Sequence, residues 1–415
     1  MNNPALFHKV NVDGTKAVIA AAVETGVRKL VFTSSAGVIF NGADIVDGDE
    51  RLPFPEVPLD AYNDTKAKAE KAVLEANGKG GLLTVALRPA GIFGFAFYFS
   101  FLVICSYVLS PGDRQAMTGL YQVYERGQTN FQIGDNTNLF DWTYVGNVAH
   151  AHILAADKLE TPPPAPALSI LGRVPESIDD VPPFTDAEQE LLSYPILPVD
   201  VTTGRYRIPT CEARPLGPYI TPPPNAEKIA AAFEDPDFEA TPRPVIRTRF
   251  DPLSEYALNR AKIMNPDLNP LQVAGQAFFI TNGEPTYFWD FPRLVWQELD
   301  KYFPGKRTSK TLIKLPKSLG LAAATGSEWY GWLMGKDVTF TRFKVTFSCA
   351  TRWHNIEKAR RILGYEPQTG IEEGVKRMVE VRTLFLSDPS FYFCSLISIL
   401  QWWYADYLAN QQKKQ

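Results

Sequence analysis

Arg28-Lys29-Leu30-Val31-Phe32-Thr33-Ser34-Ser35-Ala36 is the stretch on which the fold turns. Its apolar run, Lys29 to Thr33, predicts a buried strand that ends in small hydroxyl residues. Asn11 to Thr25 before it predicts a helix, closed by Gly26. Asp60 after it can cap a second helix running to Ala76, which Asn77-Gly78 ends. Leu82 to Leu87 reads as another buried strand, broken by Arg88-Pro89-Ala90-Gly91. Helix, strand, loop, helix, strand is one section of a doubly wound parallel sheet, where ligands gather at the strand C-termini. Ser35 lies just past such a terminus.

The second helix carries Ala61-Tyr62-Asn63-Asp64-Thr65-Lys66. Positions i and i+4 share a helix face, so the Tyr62 phenol and the Lys66 ammonium project into one space. An adjacent ammonium favours phenolate and is expected to lower the tyrosine pKa from about 10. A phenol so adjusted can act as a general base, with a serine across the site holding a substrate hydroxyl. That chemistry suits alcohol oxidation with hydride transfer to a nicotinamide. The pair alone also suits an ordinary exposed helix; its neighbours favour the chemical reading.

Several runs together resemble one family: Asn11-Val-Asp-Gly-Thr15, Thr33-Ser-Ser-Ala36, Tyr62-x-x-x-Lys66, Leu87-Arg-Pro-Ala-Gly-Ile-Phe-Gly94, Phe140-Asp-Trp-Thr-Tyr-Val-Gly-Asn-Val148 and Gly364-Tyr-Glu-Pro367. They are similar to the extended short-chain dehydrogenases, more narrowly the 3β-hydroxysteroid dehydrogenase/isomerase family. Pro111-Gly-Asp-Arg-Gln115 and the stretch from Gln276 to Pro285 continue the likeness. The resemblance implies an α/β, Rossmann-like doubly wound parallel sheet with a smaller C-terminal substrate domain. It implies NAD or NADP as cofactor and a sterol substrate, with a 3β-hydroxyl oxidised on a 4α-carboxysterol and the carboxylate lost as carbon dioxide. Tyr62 would be the base, and Lys66 would hold the nicotinamide ribose. Ser35 would orient the hydroxyl, with Ser34 its alternative, and Asn11 would support the proton relay. Thr33, Ser34 and Pro89, Ala90, Gly91 and Ile92 would approach the cofactor. The same scaffold acting on another alcohol or a nucleotide sugar, or an inactive fragment, are the rival readings.

By the family pattern the first strands, with their glycine-rich phosphate turn, are expected to be missing before the Asn11 motif, leaving the sheet incomplete. Weak cofactor binding by the chain as written is the corresponding expectation. The organisation predicted is a partial nucleotide-binding domain over 1–158, a Pro-rich insertion over 159–270, a substrate-binding region over 271–380 and a tail over 381–415. Of the 33 prolines, 18 lie in 161–250, including Pro162-Pro163-Pro164 and Pro222-Pro223-Pro224, a density that resists helix and sheet.

Phe95 to Ser110 is uncharged and apolar. Joining Gly94 directly to Pro111 would restore the family run, so the segment reads as retained intron; a membrane-spanning helix of about 20 residues is the alternative. Val381 to Gln401 reads in the same way, or as a buried or interfacial terminal helix. Beyond the core, Ala277 to Ile280 predicts a strand and Thr286 to Tyr302 a helix, in which Trp289, Phe291 and Trp296 read as core. Trp329 to Phe347 supplies aromatic residues that could line an apolar pocket. The family resemblance implies that Arg352 to Ala359 and Leu363 to Pro367 form a closing helix and turn that fold back on the substrate side.

A net charge of −4 shows no nucleic-acid footprint. Cys105, Cys211, Cys349 and Cys394 have no paired spacing, and His150 and His152 face different ways on a helix, so no metal site is expected. The expected location is the cytosolic face of the endoplasmic reticulum membrane or the cytoplasm. Membrane association and a homodimer are left open.

Overall fold

The computed structural model describes residues 4–94, 117–161, 271–307, 310–336, 338 and 340–387. The Phe95–Ser110 segment, Pro111–Gln115, nearly all of the Pro-rich stretch and residues 388–415 lie outside them. Contacts divide the chain into two compact units, one drawn from residues 1–92, 130–291 and 311–371, the other from 93–129, 292–310 and 372–415.

The first unit is α/β and is organised by a three-stranded parallel sheet. Its strands are β1 (Lys29–Thr33), β3 (Leu83–Pro89) and β8 (Ala277–Ile280), in the order β1-β3-β8. Register runs from Lys29 opposite Leu83 to Thr33 opposite Leu87, and from Ala86 opposite Ala277 to Pro89 opposite Ile280. The middle strand is buried from Thr84 onward, as a strand covered on both faces should be. Val85 and Leu87 join Phe278, Phe279 and Ile280 in the core, against Ala151 and Ala155 of helix α5 (Val145–Lys158). β1 is the sheet edge and is only half-buried. Because β8 comes from the region expected to bind substrate, that region shares a sheet with the N-terminal segment.

Before β1, the chain is helical from earlier than the sequence suggests. A short helix α1 (Pro4–Phe7) leads through a π-helical turn (His8–Asp13) into α2 (Gly14–Glu24). Gly26 closes it at φ 70°, where a side chain would be strained. Helix α3 (Ala61–Glu75) follows its expected bounds, and the Asp60 side chain accepts from Asn63 N at 2.7 Å.

A second sheet is built from β2 (Ile45–Gly48), β6 (Leu139–Phe140), β9 (Thr286–Tyr287) and β11 (Arg352–His354), in the order β2-β11-β6-β9. Two sequence expectations are corrected here. Thr286 and Tyr287 are not the start of a helix; they pair antiparallel with Phe140 and Leu139, and the helix begins at Asp290. Arg352 to His354 is likewise strand, because its backbone pairs in parallel with Ile45 and Phe140. Short strands β4 (Gly91–Phe93), β5 (Phe131–Ile133), β7 (Trp142–Tyr144) and β10 (Ile313–Leu315) complete the described set, with β5 and β10 parallel partners.

The second unit packs helix α4 (Met117–Glu125) against helix residues 292–302. The Tyr124 hydroxyl donates to Asp300 at 3.0 Å and Trp296 Nε1 donates to the Leu120 carbonyl at 3.1 Å. Helix Ile371–Ser387 runs through Glu380-Val381 without a break. Among the described residues, no helix is long and apolar enough to cross a membrane.

Candidate active site

One face of α3 and the loop after β1 converge at the C-terminal end of that strand. Tyr62, Lys66 and Glu70 recur every fourth residue and so share one face of α3. The strand end supplies Thr33, and the loop beyond it supplies Ser34 and Ser35. Ser34 N donates to the Leu87 carbonyl at 2.7 Å, which holds this loop beside the end of β3.

Ser34 and Ser35 take different directions. Ser34 Oγ donates to the Glu70 carboxylate and is buried. Ser35 caps the following 3-10 turn (Ala36–Ile39), accepting from Gly37 N at 3.1 Å, and its side chain is close enough to the Tyr62 phenol to oppose a rise in the phenol's pKa. Ser34 is thus engaged with Glu70, and Ser35 is the serine that acts on Tyr62. Gly37 is required by close approach: a Cβ there would stand 2.2 Å from Asn63 Oδ1 and 3.3 Å from Ser35 Oγ.

Lys66 Nζ donates to the Thr33 carbonyl and lies 4.3 Å from the Phe32 ring centroid. Burial lowers its pKa, opposed by the charge of Glu70. The expected lowering of Tyr62 by Lys66 is not found. Burial raises the phenol, the Ser35 side chain works against that rise, and the Asp60 charge adds to it. Tyr62 keeps 40% of its surface exposed, so solvent limits the effect. The physical reason is that the ammonium is committed to the strand-end carbonyl, while the Asp60 carboxylate acts on the phenol.

Asn11 sits in the π-helical turn, an irregularity that often marks functional positions. Its amide donates to Thr65 Oγ1 at 3.0 Å, and Thr65 in turn donates to the Ala61 and Tyr62 carbonyls. Asn11 thus reaches α3 through Thr65 and not through Lys66 or the phenol directly. Phe7 packs edge-on to Tyr62 at 5.9 Å between centroids.

Pro89, Ala90, Gly91 and Ile92 lie at the end of β3, beside the Ser34 loop; Ala90 is buried and Ile92 exposed. Gly91 is required by close packing, since a Cβ on it would stand 2.9 Å from Phe140 and 3.1 Å from Trp142. The polar groups at this strand end that suit the ribose of a dinucleotide are the Lys66 ammonium, held at the Thr33 carbonyl, and the partly exposed Tyr62 phenol. An apolar wall adjoins Gly91: Phe140 packs with Trp142, Phe288 and Phe347 at 4.7, 5.4 and 5.5 Å between centroids. Phe347 is thus the member of the Trp329–Phe347 run that joins this wall, whereas Trp329 and Trp332 are exposed. Phe291 and Trp296 are core, as expected.

Sequence reasoning missed Glu70 and Arg88. Arg88 donates from Nη2 to Glu70 at 2.6 Å, with both side chains buried. The signal was present, because Glu70 falls two turns beyond Tyr62 on the same face. Thr33 Oγ1 and His152 Nε2 are 2.7 Å apart, and His152 Nδ1 lies 2.8 Å from the Val148 carbonyl. A carbonyl only accepts, so Nδ1 carries the proton and Nε2 accepts from Thr33 in the neutral ring. Among the described residues, no His, Cys, Asp and Glu group could hold a metal.

Residues 1–174 match the 3-beta hydroxysteroid dehydrogenase/isomerase family. The chain is 36% identical over 379 residues to the decarboxylating sterol-4-alpha-carboxylate 3-dehydrogenase of Saccharomyces cerevisiae, covering 90% of this chain and 71% of that protein. The Schizosaccharomyces pombe protein of the same description is 35% identical over 372 residues, at 90% and 71% coverage. Its human counterpart is 45% identical over 159 residues, 38% of each chain. Among solved structures, an epimerase from Methanothermobacter thermautotrophicus is similar at a TM-score of 0.48 and 14% identity, covering 93% of this chain and 68% of that one.

Proposed function

The chain belongs to the 3-beta hydroxysteroid dehydrogenase/isomerase family, and we propose that it oxidises the 3β-hydroxyl of a 4α-carboxysterol, after which the carboxylate is lost. The observation that carries this reading is the placement of Tyr62 and Lys66 on one face of α3 at the end of β1, with Lys66 donating to the Thr33 carbonyl and Ser35 beside the phenol. Tyr62 Oη, as phenolate, accepts the proton of the substrate hydroxyl; because burial raises the phenol's pKa, this form is favoured as pH rises. Ser35 Oγ, beside that oxygen, orients the substrate hydroxyl toward it. Lys66, anchored on the Thr33 carbonyl, would hold the ribose of the cofactor. NAD or NADP, when bound, supplies the hydride acceptor.

The product of that oxidation is a β-keto acid. Its C4–carboxylate bond breaks with the electron pair passing into the ketone as enolate, carbon dioxide leaves, and a proton returns to carbon. No further protein base is needed for the bond to break. The aromatic wall of Phe140, Trp142, Phe288 and Phe347 suits a rigid apolar ring system. The Asn11–Thr65 contact fixes the turn beneath Tyr62 and supports the proton path from outside the site.

The test is Tyr62→Phe, assayed with a 4α-carboxysterol and each nicotinamide cofactor. Turnover should fall by about 10²- to 10⁴-fold while sterol binding stays within a few-fold. Near-normal turnover by the variant would remove Tyr62 as base, and no turnover of any sterol by the parent chain would remove the substrate class.

A further inference from the structure

Beside Phe140, several buried hydrogen-bond donors find no acceptor among the described residues. In the sheet β2-β11-β6-β9, Arg352 stands opposite Phe140, and Phe140 opposite Thr286. Direct cross-strand partners present their side chains on one face. Arg352 Nε and Nη2, Thr286 Oγ1 and Trp142 Nε1 are all buried without a hydrogen-bond partner. Trp142 joins them because its ring packs on Phe140.

The Arg352 guanidinium is enclosed by aromatic faces. It lies 4.2, 4.7 and 4.0 Å from the ring centroids of Phe40, Phe140 and Phe347. The side chain is among the buried charged residues, at 8% exposure. Burial alone acts on it, and lowers its pKa to about 9. The contrast with Arg88 is informative, since that buried guanidinium has Glu70. Aromatic faces attract a cation but leave its N–H groups unpaired, and an unpaired buried donor is costly.

Its position relates it to the proposed chemistry. Phe40 N closes the turn that starts at Ser35, and the Phe40 carbonyl accepts from Leu59 N, three residues before Tyr62. Phe140 is the ring that faces Gly91. The guanidinium therefore packs on Phe40, whose backbone belongs to the loop between Ser35 and Tyr62, and on Phe140, the ring that covers Gly91 at the end of β3.

We propose that Arg352, assisted by Thr286 and Trp142, recognises the carboxylate of the substrate and selects carboxylated sterols over neutral ones. This rests on the sterol reading given above. A guanidinium presents a planar fork that matches a carboxylate in two parallel hydrogen bonds. A neutral analogue would leave the fork buried and unpaired, which is how polar sites reject ligands strongly.

The test needs no cofactor. Full-chain protein is titrated with a 4α-carboxy-3β-hydroxysterol and with its methyl ester, for the parent, Arg352→Met and Arg352→Lys. The parent should bind the acid about 100-fold or more tighter than the ester. Arg352→Met should bring the two within a few-fold by weakening the acid alone, and Arg352→Lys should restore part of the preference. A parent that binds both equally keeps the sterol reading and overturns the inference. A preference that survives in Arg352→Met also overturns it. Equal loss of both ligands with a lowered Tm in Arg352→Met would assign Arg352 to the fold and overturn it. A parent that binds neither would remove the sterol reading itself, and the inference with it.

Discussion

Arg88 and Glu70 form a buried ion pair on the face of α3 that also carries Tyr62, two turns further along the helix. Arg88 donates from Nε at 3.0 and 3.1 Å and from Nη2 at 2.6 Å, so the carboxylate receives a forked contact. Ser34 adds a third donor. The three residues come from β3, α3 and the loop after β1, and the network fixes the register between the helix carrying Tyr62 and the strand ends facing it.

Glu70→Gln tests that role. The change leaves the Arg88 cation buried without its counter-charge, which should cost about 3–5 kcal/mol. Ser34→Ala removes one hydrogen bond from a carboxylate that keeps Arg88, and should cost about 1.5–3 kcal/mol. Denaturant unfolding of both variants measures the difference. Equal losses would mean that the ion pair contributes no more than the hydroxyl.

Gly37→Ala should damage the site more than the fold. The added methyl would meet Asn63 Oδ1 at 2.2 Å and Asn63 Cγ at 3.1 Å, and Asn63 is buried. Overpacking of this kind costs about 1–3 kcal/mol. Because Ser35 Oγ is also within 3.3 Å, its contact with Tyr62 should be displaced. Turnover should therefore fall further than the stability loss alone explains, with cofactor affinity little changed. A variant with unaltered turnover would show that the loop absorbs the methyl without moving Ser35.

Much of the N-terminal α/β section was legible because its signals are local. The apolar run Lys29–Thr33 was bounded by polar residues, and Asp60 announced a helix that begins at Ala61. The Tyr62–Ser35 approach followed from placing a strand end before a helix. What was not legible depends on long-range pairing. Thr286 and Tyr287 form a two-residue strand that exists only because Phe140 and Leu139 lie opposite, so local aromatic content suggested helix instead. Arg352 likewise reads as a helical start until Ile45 and Phe140 are seen beside it. The direction of the Tyr62 shift was misread because i,i+4 spacing says where an ammonium can go, not which acceptor it takes.

Lys66→Met should weaken both cofactor binding and turnover, since it removes the donor held at the Thr33 carbonyl. A lost charged hydrogen bond of about 1.5–3 kcal/mol corresponds to roughly 10- to 150-fold in affinity. Lys66→Arg keeps the charge but not the compact ammonium, and should recover only part of the loss. Isothermal titration with NAD and NADP separates binding from turnover. Unchanged affinity for both cofactors would leave Lys66 a role in the fold alone.

Asp60→Asn should make Tyr62 a stronger acid. Burial raises the phenol above its ordinary value, Ser35 opposes that, and the Asp60 charge adds to the rise. A carboxylate near a phenolate disfavours the ionised form, so removing the charge must move the pKa down. Asparagine is as good an N-cap as aspartate, and the Asp60 side chain accepts from Asn63 N, so helix α3 should start unchanged. The shift is read from the ultraviolet difference between the parent and Tyr62→Phe proteins across alkaline pH. The same difference is then measured with Asp60→Asn present in both. If Tyr62 is the base, the alkaline rise in turnover should move to lower pH with the same substitution. A phenol that titrates identically with and without the Asp60 charge would show that Asp60 does not set the charge balance at this site.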